Sequence, residues 1–146
     1  MQYKKLLNMS ATTTVSELMT KEVISVAHTA SLSTVRQLLQ THHIRHLPVL
    51  SAGQVVGIIS KSDFTRLTSG TFYATQQEAD TAMMDMFTLE DIMIKNPVVI
   101  SSELTIKDAA DIFIAQDFHA LPVVDNGQLT GILSVTDLLR HLRDTL

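Results

Sequence analysis

The chain contains no cysteine and no tryptophan. Without thiols there is no disulfide framework, no thiolate zinc site and no thiol nucleophile, and the redox compartment leaves no mark. Charge is thin as well, at 18% Asp, Glu, Lys and Arg against about 25% in an average soluble protein. No apolar run approaches the roughly 18 residues of a membrane helix; stretches such as Val55 to Ser60 are short and interrupted by Gly57. The segment Met1 to Met9 lacks a signal-peptide pattern, so a cytoplasmic protein without membrane attachment is expected. A net charge of −4 and a pI near 5.8 come with no basic stripe, which argues against a nucleic-acid partner. What remains is 146 residues, 45% of them hydrophobic, enough for one domain or two very small ones sharing a core. Aromatics are 5%, so the core must be built from Leu, Ile, Val, Met and Ala. The low charge suggests a chain that removes surface from water beyond its own core, most simply by self-association.

A repeat at one fixed offset organises the sequence. Moving 74 positions along the chain pairs Thr14 with Thr88, Met19 with Met93 and Lys21 with Lys95. The same offset carries Leu47-Pro48-Val49 onto Leu121-Pro122-Val123, Gly57-Ile58 onto Gly131-Ile132, Ser60 onto Ser134, Asp63 onto Asp137 and Arg66 onto Arg140. Chance does not hold a register over that span. The expected division is repeat 1 over 13–70, an inter-repeat helical linker over 71–86 and repeat 2 over 87–146.

Each copy reads α-β-α-β-β-α, an α+β fold. Thr14 to Glu17 and Thr88 to Asp91 have capping-box spacing and open a short helix. A β-rich segment follows, Val23 to Val26 or Val98 to Ile100. Ser31 and Thr105 cap a second helix with Leu32, Val35, Leu38 and Leu39, or Ile106, Ala109, Ala110 and Phe113, on one face. The Leu-Pro-Val segments read as strands whose proline calls for an edge or first-residue position. They run through Ala52-Gly53 or Asn126-Gly127 hairpin signals into Val55 to Ser60 and Leu129 to Ser134, and a last helix starts near Asp63 or Asp137. At about 55 residues a copy is marginal alone, so the two should pack together, sheet against sheet. Met83, Met84, Met86 and Phe87 form an apolar cluster in the linker, expected as a helix packed on its own domain.

The motifs Met-Thr-Lys and Met-Ile-Lys, His-Leu-Pro-Val and Ala-Leu-Pro-Val, and Gly-Ile-Ile-Ser-Lys-Ser-Asp and Gly-Ile-Leu-Ser-Val-Thr-Asp together resemble a tandem pair of CBS domains, a Bateman module. The resemblance covers nearly the whole chain. It implies a pseudo-two-fold disc of two repeats, discs that commonly dimerise, and clefts that bind adenosine nucleotides, often to regulate an enzyme or transporter. By that resemblance the ligand is an AMP, ADP or ATP type of regulatory molecule rather than a cofactor. Its phosphate and ribose would meet Ser60, Ser62 and Asp63, and Ser134, Thr136 and Asp137. Adenine would lie against Ile24 and Val26, or Val98 and Ile100, and beside Arg45-His46, or His119-Ala120.

Chemistry supports part of this: hydroxyls and free N–H groups at a helix N-terminus suit an anion, and a carboxylate can accept from two ribose hydroxyls. Glycine inside a strand, at 57 and 131, marks a bulge or a close approach. Yet Ser60-x-x-Asp63 and Ser134-x-x-Asp137 are also capping boxes with no ligand needed, and Arg66 and Arg140 are placed as i,i+3 ion partners. Lys61 faces Val135 in the other copy, so two occupied clefts should bind unequally. His42, His43 and His46 read as a solvated helix end rather than a metal site. The resulting expectation is a non-enzymatic sensor of an adenine nucleotide that signals to a regulated partner protein. The alternative is a dimeric interaction module with no functional ligand site; a hydrolase lacks a nucleophile, a metal cluster or a Walker-type loop.

Overall fold

A computed structural model describes residues 13–68 and 75–146, with the side chains of Leu67, Thr68, Gln76, Asp80 and Met83 left aside. Met1 to Met9, the expected boundary at 70 and 71, and the side chain of Met83 in the linker cluster lie outside the described residues. In chain order the elements are α1 Val15–Leu18, β1 Val26–Ala27, α2 Leu32–Thr41, β2 His46–Ser51, β3 Gln54–Ser60 and α3 Lys61–Thr68. They continue with α4 Gln76–Met86, α5 Leu89–Ile92, β4 Ile94–Lys95, α6 Ile106–Ala115, β5 Ala120–Asp125, β6 Gln128–Ser134 and α7 Val135–Thr145.

Two compact units result, and neither coincides with a sequence repeat. The central unit is 24–97; the terminal unit joins residues up to Val23 with 98–146. Each unit takes its last three elements and its middle helix from one copy, and its short first helix from the other. In the central unit the sheet order is β1-β2-β3-β4, with β1 parallel to β2 and the remaining pairs antiparallel. Leu89 and Met93 join a core of Val26, Leu32, Val35, Leu39, Leu47, Val49, Ile59 and Phe64. In the terminal unit β5 pairs with β6, Ile100 bridges Val123 in parallel and Thr20 bridges Ile132 antiparallel. Val15 enters a core of Ile100, Ala109, Leu121, Val123 and Leu133.

Close approach explains both strand glycines. A Cβ on Gly57 would stand 3.1 Å from the Ile94 carbonyl oxygen and would collide with the Met93 sulfur; one on Gly131 would stand 3.1 Å from the Thr20 oxygen and 2.9 Å from Met19 Cγ. The register also slips by one residue beside each glycine, between Val49 and Leu50 and between Val123 and Val124. The glycines therefore make room for the exchanged segment of the other copy.

Two local expectations change. Pro48 is the third residue of β2, which lies between β1 and β3, and not at an edge. The reason is visible at Pro122, whose carbonyl accepts from Ile100 N–H at 3.0 Å. Residues on a strand send N–H and C=O to the same side, so the missing N–H faces the parallel partner and the hairpin ladder loses nothing. The β-rich segments expected at 23–26 and 98–100 shrink to β1 and to a bridge at Ile100 for the same reason, because upstream of them proline offers no donor. Downstream, His28 N–H continues to Leu50 C=O at 2.9 Å, whereas Ser102 N–H is taken by Asp125 Oδ1 at 3.0 Å. Ser51 stands where the other copy has Asp125, so the first copy has no carboxylate there to take the His28 N–H. Both hairpins turn through two left-handed residues, Ala52 (φ 48°) and Gly53 (φ 78°), and Asn126 (φ 52°) and Gly127 (φ 75°), as a tight two-residue loop requires.

Candidate ligand site

Each unit brings one strand-to-helix junction into place. In the central unit β3 ends at Ser60 and α3 starts at Lys61; in the terminal unit β6 ends at Ser134 and α7 starts at Val135. Both junctions are closed as capping boxes. Ser60 N–H donates to Asp63 Oδ2 at 2.7 Å and Asp63 N–H to Ser60 Oγ at 3.2 Å. The matching distances for Ser134 and Asp137 are 2.8 and 3.1 Å. The backbone of the residue before each Leu-Pro strand is tied in too: Lys61 N–H donates to Arg45 C=O at 2.8 Å and Val135 N–H to His119 C=O at 3.0 Å.

The two aspartates differ in what is left over. Asp63 is 3% exposed, and its second oxygen accepts from the Arg66 guanidinium. Asp137 is half-buried, and its second oxygen accepts from Arg140 Nη1 at 3.3 Å. Both oxygens of each aspartate are thus engaged, and Asp137 is the more exposed carboxylate of the two. Ser62 and Thr136 are exposed, and their hydroxyls are not used by either box.

The expected apolar contacts divide in the same way. Val26 and Ile100 belong to the two cores and Ala120 is buried, whereas Ile24 and His46 are half-buried and Arg45, Val98 and His119 are exposed. Val26 and Ile100 can offer a ligand little beyond their backbone. Within the central unit Ile24, Val26, Arg45, His46 and the Ser60 junction are brought into one body; within the terminal unit Val98, Ile100, His119, Ala120 and the Ser134 junction are.

Among the histidines, α2 ends at Thr41 and His42 is its C-cap. His43 is left-handed at φ 52° and His46 opens β2, so His42 and His46 do not share a helix face. Among the described residues no group of three His, Asp or Glu could hold a metal ion. His28 finds a partner that no local signal announces: its Nδ1 lies 2.7 Å from Glu90 Oε1, 62 positions away. Asp125 is a second unannounced centre. Hydrogen bonds from the Thr130 hydroxyl at 2.7 Å and from the Ser102 N–H hold its carboxyl below the usual carboxylate range.

The model of the CBS domain family matches residues 15–70 and again 89–144. The chain belongs to the CBS domain family. It is 29% identical over 129 residues to the uncharacterized protein MJ1225 of Methanocaldococcus jannaschii, which aligns with 87% of this chain and 46% of its own length. It is 28% identical over 119 residues to inosine-5'-monophosphate dehydrogenase of Korarchaeum cryptofilum, covering 81% of this chain but 22% of that enzyme. The chain thus spans less than half of either relative. Among solved structures, CBSX2 in complex with AMP superimposes with a TM-score of 0.74 at 26% identity, covering 90% of this chain and 97% of that one; a further structure of CBSX2, from Arabidopsis thaliana, gives 0.77. No helix among the described residues is long and apolar enough to cross a membrane.

Proposed function

We propose that this CBS pair is a non-catalytic regulatory module that senses an adenine nucleotide of the AMP, ADP or ATP type and passes the response to a partner protein. The observation that carries this reading is the duplicated junction, with exposed hydroxyls at Ser62 and Thr136 on the first turn of α3 and α7. A helix N-terminus with hydroxyls suits a phosphate, and a relative of similar fold, CBSX2, is described in complex with AMP. The adenine would use Ile24, Val26, Arg45 and His46, or Val98, Ile100, His119 and Ala120, and the ribose would use Asp63 or Asp137. Asp137 is the stronger ribose acceptor of the two, because Asp63 is buried and Asp137 only half-buried. The signal is differential affinity: a nucleotide moves the module only as far as it prefers one of its arrangements.

A thermal-shift series with AMP, ADP, ATP, NAD and S-adenosylmethionine tests the proposal, since free ligand at 100 times Kd adds about 2.7 kcal/mol of stability. Thr136→Val should reduce that response while leaving the melting point of the free protein in place, because the hydroxyl is outside the capping box. A flat response to every nucleotide would overturn the sensing role and leave the dimeric interaction module. Exposed Ile114 and Leu139 make self-association as a homodimer part of the proposal, checked by sedimentation equilibrium.

A further inference from the structure

The two exchanged helices are attached in different ways. In the terminal unit α1 is sewn in by backbone: Val15 N–H donates to Leu104 C=O at 2.8 Å, Ser16 N–H to Ser102 C=O at 2.9 Å, and Ile106 N–H to Thr13 C=O at 2.8 Å. Thr14 also bridges Thr105 antiparallel. At the fixed offset the corresponding positions of the central unit are Phe87 to Glu90 on one side and His28, Ala30, Ser31 and Leu32 on the other. Among the described residues no backbone hydrogen bond joins these two stretches. What joins them is a side-chain pair, His28 Nδ1 and Glu90 Oε1 at 2.7 Å, at positions where the other attachment has Ser102 and Ser16.

The apolar anchors are alike, since Leu89 and Val15 are both buried and Met93 and Met19 each lie against a strand glycine. The difference is therefore confined to the polar attachment at the start of the helix. Ahead of α5, Met86 and Phe87 are exposed, so burial does little to hold that end. A backbone hydrogen bond is indifferent to pH near neutrality, whereas an imidazole ordinarily changes charge between pH 5 and 8. Once charged, it turns its contact with a carboxylate into a charge-assisted one. The elements around the ring supply no other partner for it. Residues 24–35, from β1 to the first turn of α2, carry no charged group besides His28. In β2 the one ionisable residue is His46, at its start, while His28 N–H meets Leu50 toward its end. On α5, Asp91 Oδ2 accepts from Thr88 N–H at 2.8 Å in its own capping box, and Lys95 of β4 acts on Asp91.

We propose that His28 and Glu90 form a pH-sensitive latch on α5, closed when His28 is protonated and loosened when it is neutral, while α1 stays fixed by its backbone bonds. The latch gives one of the two units a proton-controlled attachment of its exchanged helix and of the Met86-Phe87 segment that precedes it. It stands apart from the nucleotide reading and survives its failure.

Amide hydrogen exchange of the full chain, followed by NMR at about pH 5.5 and about pH 7.5 and corrected for intrinsic exchange rates, tests the latch. The reporters are the Asp91 and Met93 N–H groups of α5, which donate to Thr88 and Leu89, and the matching Glu17 and Met19 groups of α1, which donate to Thr14 and Val15. Because the pair is partly exposed, protection at Asp91 and Met93 should be greater on the acid side by up to about fivefold, with Glu17 and Met19 unchanged. His28→Gln and Glu90→Gln should each abolish the difference. His28→Lys, whose cation persists across this range, should keep α5 protected at both values. Protection of α5 that does not vary with pH in the wild type, a response that persists in His28→Gln or Glu90→Gln, or an equal response at Glu17 and Met19 would each overturn the latch. The wild-type comparison decides even where a variant fails to fold.

Discussion

Gly131→Ala tests the exchange of first helices between the copies, because the added methyl points at the exchanged segment and at nothing else of comparable closeness. Its Cβ would stand 3.1 Å from the Thr20 carbonyl oxygen and 2.9 Å from Met19 Cγ, with the Met19 sulfur nearer still. The thioether can swing away. The carbonyl cannot retreat freely, since Thr20 N–H donates to Ile132 C=O and Ile132 N–H to Thr20 C=O, both at 3.0 Å. Overpacking of this kind costs about 1–3 kcal/mol, and each weakened hydrogen bond about 0.5–1.5 kcal/mol, so a loss of about 2–3 kcal/mol is expected. For a chain of this length the melting point should fall by about 2–4 °C per kcal/mol. Urea unfolding followed by circular dichroism measures the loss, and amide exchange at Ile132 localises it. In the M19A background the cost of Gly131→Ala should shrink by about 1 kcal/mol, the sign of direct coupling. A Gly131→Ala protein as stable as wild type, or an equal cost with and without the Met19 side chain, would refute the packing described for the terminal unit.

Other expectations follow from single contacts. Ala52→Asn places in the first hairpin the residue type that the second carries at Asn126; since a left-handed alanine is strained by about 1 kcal/mol or more, the variant should melt higher, and an unchanged melting point would contradict the turn geometry. Asp125 has a folded-state pKa below its unfolded value because of Thr130 and Ser102, so its contribution is present above the unfolded pKa and lost as pH falls through the folded one. Asp125→Ser should therefore flatten the acid limb of the stability curve, measured by urea midpoints across that range, and an identical acid limb would remove Asp125 from the account. Asp63→Ala strips the box acceptor and the Arg66 partner from a buried position and should cost about 1–3 kcal/mol, more than Asp137→Ala at its more open junction. The His28–Glu90 pair is partly exposed, so His28→Ala should cost no more than about 1 kcal/mol; a larger loss by urea denaturation would mean the contact organises α5.

Much of the secondary structure was legible because it is governed by local chemistry. The caps at Ser31, Thr88 and Thr105 form as their spacing predicts, with Thr34, Asp91 and Asp108 N–H groups donating to the three hydroxyls. The hairpins at 52–53 and 126–127 were legible for the same reason, while the last helices begin at Lys61 and Val135, two residues before the expected Asp63 and Asp137, because Ser60 and Ser134 cap them. The glycines at 57 and 131 announced a close approach without naming what approaches. A sequence pattern records that a Cβ is missing, and only coordinates show whether a ligand or Met93 fills the space.

Repetition at one offset, read from the sequence alone, determined the number of copies and their element order, because a duplicated unit must repeat the same caps, core positions and turns. Tertiary structure decided which copy's first helix completes which compact unit, since Thr13 to Thr20 satisfies its backbone on Ser102, Leu104, Ile106 and Ile132, partners that lie more than eighty positions away. It also decided how each candidate carboxylate is spent. Asp63 and Asp137 are identical in motif, and their difference lies in burial, a quantity set by packing and not by spacing.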